Sequence, residues 1–264
     1  MKKISPNILF KHTRERLVTT GLVVLFLGVW ELLARTGKLS FVIFPAPSKI
    51  LIYFVISLAK GKFTQATVIS LSRMFFGFLI GGGSGMILGL ILGWSRRLRR
   101  ILDPIVAALH PIPKLALLPM MLVLLGIGES SRIAMVSISA FFPMLINTIA
   151  GVLQINPTYY EVLENCGANK LDIFRKVILP GSLPLVMTGA RLSLKSALTT
   201  TIGVEMVFGS TGLGAALWLA WETMRITDLY STLLIVGIIG ICTTLLIEGS
   251  RRFLIPWHYE SHRP

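Results

Sequence analysis

Long apolar runs alternate with short polar joints along this chain. The runs cover roughly 17–36, 70–94, 104–125, 131–153, 184–208 and 229–249. Each is about 20 residues or longer, the length an α-helix needs to cross a hydrocarbon layer of about 30 Å. Transmembrane strands would be about 10 residues long and alternate in polarity, and these runs do neither. The segment FPAPSKILIYFVISLAKGK, after the first run, is different: its continuous apolar part runs only from Ile50 to Ala59, between prolines and lysines. It predicts a helix lying at the membrane interface rather than a crossing. The pattern predicts an all-α integral membrane protein with about six transmembrane helices. The membrane domain spans 17–249, preceded by a polar segment at 1–16 and followed by a tail at 250–264.

One stretch breaks the apolar pattern. Residues 161–180, EVLENCGANKLDIFRKVILP, carry Glu161, Glu164, Lys170, Asp172, Arg175 and Lys176 between two apolar runs. A short connection needs no ordered, charged, amphipathic helix pair. The wider loop 157–180 is therefore expected to meet a partner outside the bilayer. An amphipathic helix lying on anionic lipid is the bland alternative, and the mixture of acids and cations argues against it.

Composition agrees with the pattern. Of 264 residues, 53% are hydrophobic and 14% charged, against about 25% charged in a soluble domain, and mean hydropathy is +0.75. The net charge of +14 does not point to nucleic acid, because the cations sit mainly in short loops. With the N-terminus inside, fifteen Lys and Arg fall in inner segments, among them Lys2, Lys3, Lys11, Arg14, Arg16, the cluster Arg96, Arg97, Arg99 and Arg100, and Arg251, Arg252 and Arg263; seven fall in outer segments. The positive-inside rule then puts both termini and the 157–180 loop in the cytoplasm. The first run lacks a small-residue cleavage site and is expected to be retained. Cys166 and Cys242 are too far apart in sequence, and too cytoplasmic or too deep, to suggest a disulfide.

Gly77, Gly81, Gly85, Gly89 and Gly93 recur every four residues in the second run, making a stripe along which another helix can approach closely. It fits packing within the subunit or contact between subunits. The third run holds Pro104, Pro111, Pro113 and Pro119. Each is expected to remove a backbone donor and bend the helix, either to line a cavity with freed carbonyls or simply to pack; Pro143 in the fourth run is read the same way. No GxxxxGK[ST] loop occurs, the histidines show no metal-ligand spacing, and no catalytic constellation or metal site is expected. In the fifth run Arg191 and Lys195 share a helix face, and Glu205 falls about 40° short of four full turns from Arg191. These three are candidate pathway residues, the cations attracting an anionic solute. The alternative is that they reach the two membrane interfaces.

With these residues in view, the polar segment resembles the cytoplasmic EAA loop of ABC importer permeases: Glu161, then Gly167, Val177, Leu179 and Pro180 at the family's spacing, with Val162 and Leu163 in place of the two alanines and Val177 in place of isoleucine. FPAPSKI (44–50), 102–133, 179–194 and VEMVFGSTGLG (204–214) are similar to the nitrate/sulfonate/taurine/bicarbonate branch. The resemblance implies the type I ABC importer permease fold with cytoplasmic coupling helices, in an inner membrane. It implies a second permease subunit, as a homodimer, two ATP-binding subunits that carry the ATP and Mg, and an extracytoplasmic solute-binding protein. Glu161, Leu163, Glu164, Gly167, Ala168, Phe174, Leu179 and Pro180 would form the ATPase-coupling segment. Within it, Gly167 would allow a tight turn or close approach, Leu163 and Phe174 would anchor the ATPase, and Pro180 would stop the helix. The chain itself would be non-catalytic and hold no cofactor. A self-sufficient secondary carrier would need midplane coupling-ion residues and, commonly, inverted repeats; none is visible, and a membrane enzyme lacks its constellation.

Overall fold

The computed structural model describes residues 6–256 except Phe41 and Gly209, with side chains from Leu17 onward. Most of the expected segment at 1–16 and of the tail at 250–264, including Lys2, Lys3, Arg14, Arg16 and Arg263, lies outside the described residues or side chains. In chain order the helices are α1 (Pro6–Arg35), α2 (Pro47–Ala59), α3 (Thr64–Trp94), α4 (Arg96–Leu109), α5 (Leu118–Leu125), α6 (Glu129–Leu153), α7 (Pro157–Asn165), α8 (Lys170–Ile173), α9 (Leu179–Phe208), α10 (Leu213–Glu222) and α11 (Ile226–Leu254). A 3-10 turn at Lys114–Leu117 leads into α5, and a π-turn at Phe174–Ile178 joins α8 to α9.

The centre of the molecule is α3, α6 and α9. The glycine stripe explains why α3 and α6 lie so close. A Cβ at Gly77 would come within 2.4 Å of Val136, one at Gly81 within 1.9 Å of the Ser137 carbonyl oxygen, one at Gly85 within 2.6 Å of the Phe141 oxygen, one at Gly89 within 2.6 Å of Thr148 and one at Gly93 within 2.5 Å of Val152. All five glycines therefore pack inside the subunit, where backbone contact replaces the hydrophobic drive that lipid cannot supply. Across α6 and α9, Ser139 and Ser196 hydroxyls meet at 2.6 Å, Thr200 donates to Ser139, and Ser193 donates to the Ala140 carbonyl. These polar side chains hold two spans together without an unsatisfied group. Helix α11 packs against α9, α10 and α2, whereas α1 touches mainly α2 and leaves its apolar surface largely exposed.

The third run departs from expectation. It is not one crossing helix over 104–125: α4 begins at Arg96, ends at Leu109, and turns by 91° into the Lys114–Leu125 segment. Among the described residues, five helices are long and apolar enough to cross a membrane, and the bent pair makes up to six. The four prolines do unequal work. Pro104 is carried inside α4 and Pro119 sits in the first turn of α5, where a missing N–H costs nothing. The break falls at Pro111 and Pro113, which remove two donors within three residues. The short apolar helix α10, which the apolar pattern did not delimit, lies between α9 and α11 in the chain.

Candidate coupling surface and membrane-embedded charges

At the end of the bundle where Trp94 closes α3 and Leu153 closes α6, the chain leaves the spans and forms a compact helix pair. Asn156 caps α7, its side chain accepting from the Thr158 N–H at 3.0 Å, and Pro157 occupies the first helical position. The helix ends at Gly167, whose φ of +74° is left-handed. The Gly167 N–H donates to the Glu164 carbonyl at 2.9 Å and the Ala168 N–H to the Leu163 carbonyl at 3.0 Å. That pair of bonds is a Schellman ending, with its usual hydrophobic contact between Ala168 and Leu163. Space around a Cβ at Gly167 is open, so the backbone angle requires glycine there, not a close approach. Asn169 and Asp172 then cap α8 reciprocally, and Lys176 pairs with Asp172 at 3.2 Å.

Pro180 does not stop a helix. It sits in the first turn of α9, and the path from Lys170 to Phe208 is continuous. The Leu179 N–H reaches five residues back to the Phe174 carbonyl. This wider π-turn absorbs the donor Pro180 lacks and makes room for its ring. Leu163 and Phe174, expected to anchor the ATPase, are half-buried, as is Ala168. They pack inward with Leu90, Val152, Ile173 and Ile178, and the Phe174 ring lies 5.9 Å from that of Trp94. They tie the helix pair to its own spans. The outward face carries Glu161, Glu164 and Leu179, together with three apolar side chains the motif did not single out: Tyr159, Val162 and Leu171, 63%, 56% and 54% exposed. Their signal in the sequence was apolar residues interleaved with the charges of an amphipathic segment. Beside them a cleft of about 330 Å³ is lined by Trp94, Ser95, Tyr160, Glu164, Lys170 and Ile173; burial pushes the Tyr160 phenol above its ordinary range.

The opposite end of the bundle is closed by charge. Arg73 of α3 holds Glu129 of α6 through two bonds of 2.8 and 2.6 Å, and Glu205 of α9 at 2.7 Å. Glu205 also accepts from the Ser70 hydroxyl and, at 2.9 Å, from the Gly214 N–H at the start of α10. Arg132 bonds Glu129 at 2.7 Å and Ser210 at 2.8 Å and lies over the Phe208 ring. Two acids and two arginines balance, and every bond is charge-assisted. Nearby, Lys62 bonds Asp228 at 2.6 Å and Tyr53 at 2.7 Å; burial alone would lower the Lys62 ammonium, but these partners hold it above the ordinary lysine range.

The three candidate pathway residues are not brought together. Glu205 is 1% exposed and locked against α3. Arg191 pairs with Glu248 of α11 at 2.8 Å. Lys195 is exposed, with no ion pair among the described residues. Arg73 and Lys114, not among the sequence candidates, are ionisable residues inside predicted runs, and Arg132, counted only as an outer-segment cation, opens another; such a position is itself a signal of a paired or functional group.

Residues 85–257 match the family described as the binding-protein-dependent transport system inner membrane component. The chain belongs to that family of permeases. It is 29% identical over 253 residues to the taurine transport system permease protein TauC of Escherichia coli K12, covering 94% of this chain and 92% of that protein. It is 33% identical to the putative aliphatic sulfonates transport permease protein SsuC of the same organism, over 89% of each chain. It is 30% identical to the bicarbonate transport system permease protein CmpB of Synechococcus elongatus, over 87% of this chain and 86% of that one. The fold matches a chain of the MetNI methionine ABC transporter in an inward-facing conformation, with a TM-score of 0.60 and 23% identity, over 71% of this chain and 91% of that chain. The protein is a multi-pass inner membrane permease, and a self-sufficient carrier finds no support among these relatives.

Proposed function

We propose that this chain forms the pathway of an ATP-driven importer and takes its energy through the α7–α8 helix pair. The observation that carries this is the division of labour in that pair. Its inward residues bind it to α3, α6 and α9, while Tyr159, Val162 and Leu171 stand exposed among charges at the end of the bundle. An apolar cluster with a polar rim fits a protein partner. A rigid link into α9 through the π-turn gives the partner's motion a route into the spans. The partner is an ATPase that binds the ATP and Mg; the excess of Lys and Arg beside this end supports a cytoplasmic location for it. A homodimer of the chain, two ATPase subunits and an extracytoplasmic binding protein complete the assembly. The cargo is a small oxyanion such as nitrate, a sulfonate, taurine or bicarbonate; the last three are what relatives are named for.

Co-purification tests the coupling surface. The double variant Val162→Asp with Leu171→Asp alters exposed side chains only, so membrane insertion is expected to be unchanged. Recovery of the ATP-binding subunits with the permease is expected to fall at least about tenfold, the effect of losing about 1.4 kcal/mol from an interface centre. Full recovery would refute the assignment of this face.

A further inference from the structure

The charges at the outer cluster cancel, and Arg191 has Glu248. Lys114 has no acid. Its ammonium lies at the break between α4 and the 3-10 turn, where it donates to the carbonyls of His110 and, at 2.9 Å, Ile112. It sits 4.9 Å from the centroid of the Phe142 ring. Among the described residues it makes no ion pair. Phe142 is the fourteenth of the 25 residues of α6, so Lys114 stands about 20 Å from one end of that span and about 17 Å from the other at 1.5 Å per residue. That is the middle of the span, and inside a membrane an uncompensated cation is expensive there and rarely without a task.

The break itself supplies the setting. Pro111 and Pro113 take away donors, and the carbonyls around them turn to the ammonium. Non-helical backbone at membrane depth is tolerated only where it is buried in protein or lines a cavity. Here it is braced against α6 and α9, with Leu115 beside Gly203. The carbonyls and the ring orient the ammonium without neutralising it, and the side chain is only partly buried. What it lacks is an anion.

We propose that Lys114 is a mid-membrane contact for the oxyanion group of the transported solute. The broken α4–α5 pair presents it to the pathway. This rests on the permease reading above and names its substrate class: a sulfonate or carbonate oxygen replaces the missing counter-ion during passage. The carbonyl partners already satisfy the ammonium when the solute has left, so the anion is held by one charge and can depart. Weak, transient binding of this kind suits a conduit better than a closed carboxylate-and-arginine site.

The test uses the full complex with its ATP-binding subunits and binding protein in proteoliposomes, and three probes: taurine, ethanesulfonate and bicarbonate. Wild type is expected to accumulate at least one. Lys114→Gln is expected to lower that uptake at least about tenfold, the effect of one charge-assisted hydrogen bond, with basal ATP hydrolysis retained. Lys114→Arg is expected to keep a substantial part. As a safeguard against misfolding, Lys114→Cys in a Cys166→Ser, Cys242→Ser background is treated with aminoethyl or sulfonatoethyl methanethiosulfonate. The aminoethyl adduct, which restores an ammonium, is expected to recover uptake, and the sulfonatoethyl adduct is not. Wild-type uptake by Lys114→Gln, or equal recovery by both adducts, would overturn the proposal. If the wild-type complex hydrolyses ATP but imports none of the three probes, the oxyanion assignment falls and the permease reading stands. If no ATPase associates at all, it is the permease reading that fails.

Discussion

Glu205 shows how far a single residue can be read from sequence. A carboxylate within an apolar run is visible at once, and its cost there marks it as important. Its partner is not visible, because Arg73 lies 132 residues away and helix spacing relates only neighbours on one helix. The structure turns a candidate pathway residue into part of a lock joining α3, α6, α9 and the start of α10. Glu205→Ala would leave Arg73 with one acid in place of two in a buried site. The loss of such a partner costs about 3–5 kcal/mol when the remaining charge is uncompensated; Glu129 reduces this here, so about 2 kcal/mol or more is expected. The thermal unfolding midpoint of the purified variant should fall by several degrees, and Glu205→Gln, which keeps hydrogen-bonding atoms, should lose less. An unchanged midpoint for Glu205→Ala would show the lock to be decorative. Gly167 was legible in the opposite sense: its position at the end of α7 followed from the motif's spacing, and the left-handed φ supplies the reason.

Among elements, the best read were those governed by a period. Five glycines four residues apart predicted a close helix contact along α3, but nothing in one dimension said whether the partner was α6 or another subunit. The contact can be tested along its length. Gly81→Ala places a Cβ into the Ser137 backbone, which cannot swing aside, and is expected to cut the yield of folded protein in the membrane severely. Gly83→Ala, two residues on, meets nothing within 4 Å and should be tolerated. Equal yields from the two variants would contradict the packing. Elements governed by proline were read less well, because the residue's effect depends on where in a helix it falls. Pro119 and Pro180 occupy first turns and disturb little, whereas Pro111 and Pro113 break the third run. The π-turn at Phe174–Ile178 leaves no periodic trace at all, since it changes the register of only one turn.

At the scale of the whole molecule, apolar run length identified five of the crossings, and the sixth proved to be a bent pair. The amphipathic break in that pattern pointed to the end of the bundle proposed to meet the partner. Sequence spacing singled out the proposed coupling segment but not which of its apolar residues turn inward: Leu163 and Phe174 pack against the spans, and Tyr159, Val162 and Leu171 stand exposed. Only the folded geometry separates the two faces, because both carry apolar residues within one turn of each other. The account therefore stands on what touches that outward face. The direct measurement is site-specific photo-crosslinking in membranes containing the permease and its ATP-binding subunits, with the photoreactive residue placed in turn at Val162, Leu171 and the exposed Leu246 of α11. Adducts with the ATPase at Val162 and Leu171, and none at Leu246, are the predicted result. Absence of an ATPase adduct from both Val162 and Leu171 would contradict the claim that this surface drives the transporter.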